Sequence, residues 1–113
     1  MIYHITHGQL WQQAEKTGSY VNPSLETEGF IHFSTLDQVL GAANRYYRNV
    51  QDLLVIQVDE RRLEAKLIWE NTTGGSEPFP HVYGPLNLDA VIAKTPLLRD
   101  KNGEFMSVNF DVT

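Results

Sequence analysis

Gly29-Phe30-Ile31-His32-Phe33-Ser34-Thr35-Leu36-Asp37-Gln38 runs a strand straight into the start of a helix. Gly29 breaks the preceding chain, and the aromatic and β-branched run Phe30 to Phe33 predicts a strand. A period of two then puts Phe30, His32 and Ser34 on one face, with Ile31 and Phe33 on the other. Thr35 followed three residues later by Gln38 is the capping-box pattern that opens a helix. The helix is predicted to run to about Arg48. Leu36, Val39, Leu40, Ala43 and Tyr47 form its apolar stripe, and Arg45 and Arg48 complement the dipole at its C-terminal end.

The same grammar is repeated upstream. Ile2 to Thr6 predicts a short strand with Ile2, His4 and Thr6 on one face and Tyr3 and Ile5 on the other. Thr6 and Gln9 suggest another capping box, opening a helix from about Gly8 to Thr17 that Gly18 stops. Leu10, Trp11 and Ala14 would be its buried stripe. Asn22 to Glu28 reads as a loop with turn chemistry at Asn22-Pro23-Ser24.

Downstream the chain turns to strands. Leu53 to Val58 predicts a fully buried strand. Asp59 to Leu63 predicts a turn or single helical turn, and Lys66 to Glu70 a further strand. Asn71 to Pro80, with Gly74-Gly75 and two prolines, reads as an exposed mobile loop that delivers His81 at its far end. Leu88 to Ala93 is the next predicted strand. Asn102-Gly103 signals a hairpin joining Pro96-Leu97-Leu98 to Phe105–Val112. The order of elements predicts an α+β fold. Two N-terminal helices would pack on a mostly antiparallel β-sheet, continuous or split.

Composition bounds the function. The chain has 113 residues, 42% hydrophobic and 20% charged, with a net charge of −5 and no cysteine. That length and balance suit one globular domain over residues 1–113. The lack of cysteine excludes disulfides, thiolate catalysis and sulfur-based zinc sites. The nine Lys and Arg are scattered, so bulk nucleic-acid binding is not expected. The N-terminus lacks the basic and apolar regions of a signal peptide, and no apolar run is long enough for a bilayer. A cytoplasmic protein is the expectation; the oligomeric state is not legible.

Chemistry concentrates at histidines set in apolar sequence. His7 is expected to face solvent and is assigned no role. His4 has Thr6 on its face, and His32 has Ser34 on its face. If the two strands share a cleft, two imidazoles and two hydroxyls converge on a sugar- or phosphate-bearing ligand. The helix start at Ser34 and Thr35 would add backbone N–H groups for an anion. Against this, a lone strand histidine is more often a satisfied structural residue, and Thr35 can serve as a cap and nothing more. Glu70 lies at a strand end just before the loop that brings in His81 and Tyr83. A carboxylate and an imidazole so placed suit a base and its orienting group; the competing reading is a Pro-rich turn with a half-buried Tyr. Phe79-Pro80 is a candidate cis bond. His4, His32, His81 and Glu70 could also serve a metal-assisted hydrolase, but no two lie at the spacing of a chelating pair, so no metal is expected. The candidate catalytic residues are therefore His32, Glu70 and His81. The candidate ligand-binding residues are His4, Thr6, Ser34, Thr35 and Tyr83.

Tyr3-His4-Ile5-Thr6, Gly29 to Thr35, Leu67-Ile68-Trp69-Glu70 and Phe79-Pro80-His81-Val82-Tyr83-Gly84-Pro85-Leu86 together resemble domain-of-unknown-function family 952. That family in turn looks like part of the ADP-ribosyltransferase superfamily, and Ile31-His32-Phe33-Ser34 is similar to a phrase of the RNA 2′-phosphotransferases. The resemblance implies an NAD- or nucleotide-using transferase, with NAD held between two small sheets. It implies His4 at the adenine-side ribose, His32 by the nicotinamide ribose or a phosphate, and Glu70 or His81 in the third role. Tyr83 would then stack on a base. The superfamily's usual strand-two Tyr is absent here. A non-catalytic nucleotide- or small-molecule-binding module is the alternative expectation.

Overall fold

The computed structural model describes residues 1–72, 74–106, 108 and 110. Its elements run β1 (Ile2–His7), α1 (Gly8–Thr17), β2 (Ser19–Tyr20), α2 (Ser24–Thr27), β3 (Ile31–His32), α3 (Leu36–Tyr46), β4 (Leu53–Val58), β5 (Lys66–Glu70), β6 (Phe79–Tyr83), β7 (Leu86–Asn87) and β8 (Val91–Pro96), with 3-10 turns at Glu60–Arg62 and Leu88–Ala90. The fold is α+β and its strand pairs are antiparallel.

The sheet is split. One sheet has the order β1-β4-β8, a second β3-β6-β5, and β2 pairs with β7. The two larger sheets meet at a single bridge between Tyr3 and Ser34. There Tyr3 N–H donates to the Ser34 carbonyl at 2.8 Å and Ser34 N–H to the Tyr3 carbonyl at 2.7 Å.

The two faces expected of β1 enter two separate cores. Ile2 joins Trp11, Tyr20, Ile31, Phe33 and Val82 in one buried cluster. Tyr3 and Ile5 pack with Val39, Ala43 and Val55 beneath α3 in the other. The Thr35–Gln38 capping box closes in both directions: Thr35 Oγ1 accepts from Gln38 N–H, and Gln38 Oε1 accepts from Thr35 N–H. α3 buries Val39, Ala42 and Ala43, whereas Leu36 is exposed: as the first helical residue it lies beside the cap, outside the contact with β1.

Several expectations need correction. α1 spans the expected residues and stops at Gly18 (φ 87°), but its N-cap is His7 with no side-chain cap. Thr6 Oγ1 is held instead by the Tyr20 hydroxyl at 2.8 Å. Asn22 to Glu28 contains the one-turn helix α2. Pro80, His81 and Tyr83 lie within β6 rather than on a loop, and the peptide before Pro80 is trans. Pro80 fits a central strand because its carbonyl accepts from Phe33 N–H at 2.9 Å. N and C=O of one residue point to the same strand edge, so the missing N–H lies toward β3 and leaves the β5 ladder whole. Leu88–Ala90 is a 3-10 turn between β7 and β8 rather than the start of a strand. At the Asn102-Gly103 turn, Arg99 bridges Phe105; the rest of the expected strand to Val112 includes positions outside the described residues. Among the described residues, no helix is long and apolar enough to cross a membrane.

Candidate functional site

The short sheet β3-β6-β5 carries the site on one face. Ile31 pairs with Val82 and His32 with His81, while Ile68 pairs with His81 from the other side. Period two therefore aligns Phe30 and His32, then Phe79, His81 and Tyr83, then Ile68 and Glu70, on the face away from the Ile31, Phe33 and Val82 core. Phe33 N–H bonds the Pro80 carbonyl, which makes the next register position, His32 opposite His81, a non-hydrogen-bonded pair. Side chains approach closely at such positions. Here the two rings meet, with His32 Nδ1 at 3.2 Å from His81 Nε2.

The pair continues into a chain. His81 Nδ1 lies 2.8 Å from Glu70 Oε1, and the Tyr83 hydroxyl donates to the same carboxylate oxygen. Phe30 stacks on the His81 ring, centroids 3.9 Å apart and 13° from parallel, and His81 is 1% exposed. The donors follow from chemistry. An ionised carboxylate can only accept, so His81 carries its proton on Nδ1 and donates to Glu70. With His81 as this neutral tautomer, its Nε2 accepts and His32 donates from Nδ1. That leaves His32 Nε2 as a bare lone pair, and this atom is buried with no partner. Burial, reinforced by the neighbouring His81, pulls the His32 pKa down to about 4. Hydrogen bonds from Tyr83 first and His81 second hold Glu70 below the usual carboxylate range, and the same bond to Glu70 raises Tyr83.

Two adjoining cavities, of about 360 and 280 Å³, meet at His32, Ala42 and Tyr46. Tyr3, Phe30, Ser34 and Tyr47 line the first, together with Glu28. Phe79, Asp37, Arg45 and Glu77 line the second. His32 is the imidazole common to both walls, and its unpartnered Nε2 is itself buried.

The structure brings together His32, His81 and Glu70, the expected catalytic group, and adds Tyr83 behind Glu70. Tyr83 borders a separate groove with Gly84 and Pro85, away from the His32 cavities. Ser34 borders the cleft, but its backbone is spent on the bridge to Tyr3. Thr35 is occupied as a cap.

His4 and Thr6 lie on the opposite side of β1. His4 touches the cleft wall, yet its ring packs on Phe33 and Tyr20 and the residue is 4% exposed. His4 Nδ1–H donates to the His32 carbonyl at 2.7 Å. That carbonyl is unpaired toward β6 because His32 sits at a non-hydrogen-bonded position. His4 Nε2 then accepts from the Tyr20 hydroxyl at 2.8 Å, and the Tyr20 oxygen accepts from Thr6 and from Asn22 Nδ2, each at 2.8 Å. Burial lowers the His4 pKa to about 4, so His4 is a neutral structural ring that ties the two sheets together. Sequence reasoning missed Tyr20, Asn22, Phe30 and Phe79 as partners of these rings. Phe30 was visible in the alternation, sharing the face of His32.

Among the described residues, no three His, Asp or Glu side chains are arranged to hold a metal ion. His32 and His81 are hydrogen-bonded to each other instead.

The chain matches the family described as a protein of unknown function, DUF952, over residues 5–94. It belongs to that family. The crystal structure of protein CC0527 from Caulobacter crescentus is similar, with a TM-score of 0.83 and 30% identity over 93% of this chain and 92% of that one. The solution NMR structure of the same protein aligns with a TM-score of 0.78 and 31% identity over 91% and 89%. No curated protein matches the chain.

Proposed function

We propose that this member of the DUF952 family is a small-molecule enzyme in which His32 is the general base of a transfer reaction on a nucleotide-type substrate. One observation carries the reading. His32 Nε2 is a buried nitrogen without a partner, the residue lines two adjoining cavities, and a hydrogen-bonded chain orients its ring. A general base needs a bare lone pair within reach of the proton it removes and a neighbour that orients the ring. His32 has both. Its proton partner would be a hydroxyl or N–H of the ligand, and the aromatic walls suit a planar ring.

ADP-ribosyl or phosphoryl transfer with NAD or a related nucleotide is the specific reaction that the sequence resemblance suggests. Within that reaction we assign the roles as follows. Glu70 acts through His81 rather than directly on a sugar cation. The ribose contact expected of His4 and Thr6 would fall to cleft residues such as Ser34, and the stacking expected of Tyr83 to Phe30 or Phe79. Calorimetric titration with NAD tests this version; no binding to folded protein at millimolar ligand would end it. With a substrate in hand, His32→Ala should lower kcat by at least a hundredfold or so. The second reading, a binding module without turnover, draws on the same cavities. It predicts that His32→Ala weakens binding while wild type yields no product.

A further inference from the structure

Desolvation opposes charge on His32, so an imidazolium in the cleft is a costly place to leave a proton. The chain behind His32 offers an alternative. We propose that each proton His32 accepts is matched by one delivered to Glu70, two rings away, and that Tyr83 is a positioning residue that sets how readily Glu70 takes it. The proposal rests on the reading of His32 as the working base.

The step balances without a charged ring at either end of it. A substrate proton adds to His32 Nε2. The proton on His32 Nδ1 passes across 3.2 Å to His81 Nε2. The proton on His81 Nδ1 passes across 2.8 Å to Glu70 Oε1. Both imidazoles finish neutral with their protons on Nε2, and Glu70 finishes protonated and donating back to His81 Nδ1. The His32–His81 and His81–Glu70 bonds both survive with their directions reversed. In this second state His32 Nε2–H is a donor, so reversal supplies a general acid for the departing group. One proton equivalent has moved from the cleft to the Glu70 carboxyl, while the substrate's own hydrogen stays on His32 Nε2.

Tyr83 biases the choice between the states. Its hydroxyl donates to the oxygen that also accepts from His81, which favours ionised Glu70 and therefore the base form of His32. Other charged groups stand further out. Lys66 is the register partner of Tyr83 on β5. Around His32, the cleft carries Glu28, Asp37, Glu77 and Arg45 together with Tyr46; among the described residues none of these hydrogen-bonds either ring of the pair.

The test follows side-chain ¹⁵N shifts of His32 and His81 and the ¹³C carboxyl shift of Glu70 while the pH is lowered. The expected result is one coupled event: Glu70 protonates while both rings exchange Nδ1–H for Nε2–H. Tyr83→Phe should move that event upward by about one pH unit, because a charge-assisted hydrogen bond to the carboxylate is lost. Conversion of His32 to imidazolium with Glu70 still ionised would overturn the proposal, and an unmoved event in Tyr83→Phe would overturn the role of Tyr83. If acid unfolds the protein first, Glu70→Ala at neutral pH decides. With its acceptor gone, His81 should take the Nε2–H form and force Nε2–H on His32; a His32 that keeps Nδ1–H contradicts the relay. No ligand enters these measurements. A cleft that binds nothing would sink the proposed function and leave the relay standing, and an uncoupled titration would do the reverse.

Discussion

Acidification should unlock the seam between the two sheets at His4. The ring is buried, with both nitrogens engaged, and its pKa is lowered to about 4 from an unfolded value of about 6.5. The unfolded chain therefore binds the proton first as pH falls. Stability is complete above pH 6.5, declines through the window, and has lost the whole contribution once the pH passes below 4. Linkage gives a loss of about 2 kcal/mol between pH 7 and pH 5, and about 3 kcal/mol at the acid limit. His32 shifts in the same direction and adds to the wild-type slope. Urea unfolding at pH 7 and pH 5, for wild type and His4→Gln, isolates the His4 share. The variant should be less stable at pH 7 and lose about 2 kcal/mol less between the two pH values. Equal losses in the two proteins would show that His4 accepts a proton in the fold without penalty, and would refute its structural assignment.

Three further outcomes follow from the same network. Tyr20→Phe removes the hydroxyl that serves His4, Thr6 and Asn22. It should destabilise by about 2 to 4 kcal/mol in denaturant unfolding, since buried polar groups lose partners. Thr35→Ala should cost about 1 kcal/mol through the lost cap while leaving ligand affinity unchanged; a large drop in affinity would return Thr35 to the binding site. Phe30→Ala removes the ring stacked on His81 and should cost about 3 kcal/mol. It should also make the His81 Nε2 and Nδ1 environments exchange with solvent, measurable as lost protection in the ring N–H signals.

The sequence showed the parts of this site that depend on local rules. The Thr35–Gln38 box and the shared face of Phe30, His32 and Ser34 needed only short-range spacing. So did the strand Lys66–Glu70 that presents Glu70. What failed depended on distant partners. The Thr6–Gln9 pattern is as good as the Thr35–Gln38 one, yet the Tyr20 hydroxyl, fourteen residues on, takes the threonine. Tyr20 sits in a two-residue strand, too short for any periodicity to mark. His4 and His32 look equivalent in sequence, each with a hydroxyl two residues later. The bridge from Tyr3 to Ser34 sets their strands so that one ring enters the core and the other the cleft, a matter of register that no local pattern encodes. Pro78 and Pro80 suggested a loop up to His81. Pro80 is accepted in β6 because its missing N–H faces β3, where its carbonyl still accepts from Phe33, and the β5 ladder is left whole.

The most direct measurement is a long-range ¹H–¹⁵N correlation of the histidine side chains of the wild-type protein at neutral pH. Free histidine favours Nε2–H, so the tautomer reports the environment. The account predicts Nδ1–H on His32 and His81, with His32 Nε2 showing the shift of an unprotonated nitrogen. Nε2–H on His32 would contradict it, because the unpartnered nitrogen would then be a donor and His32 could not be the base.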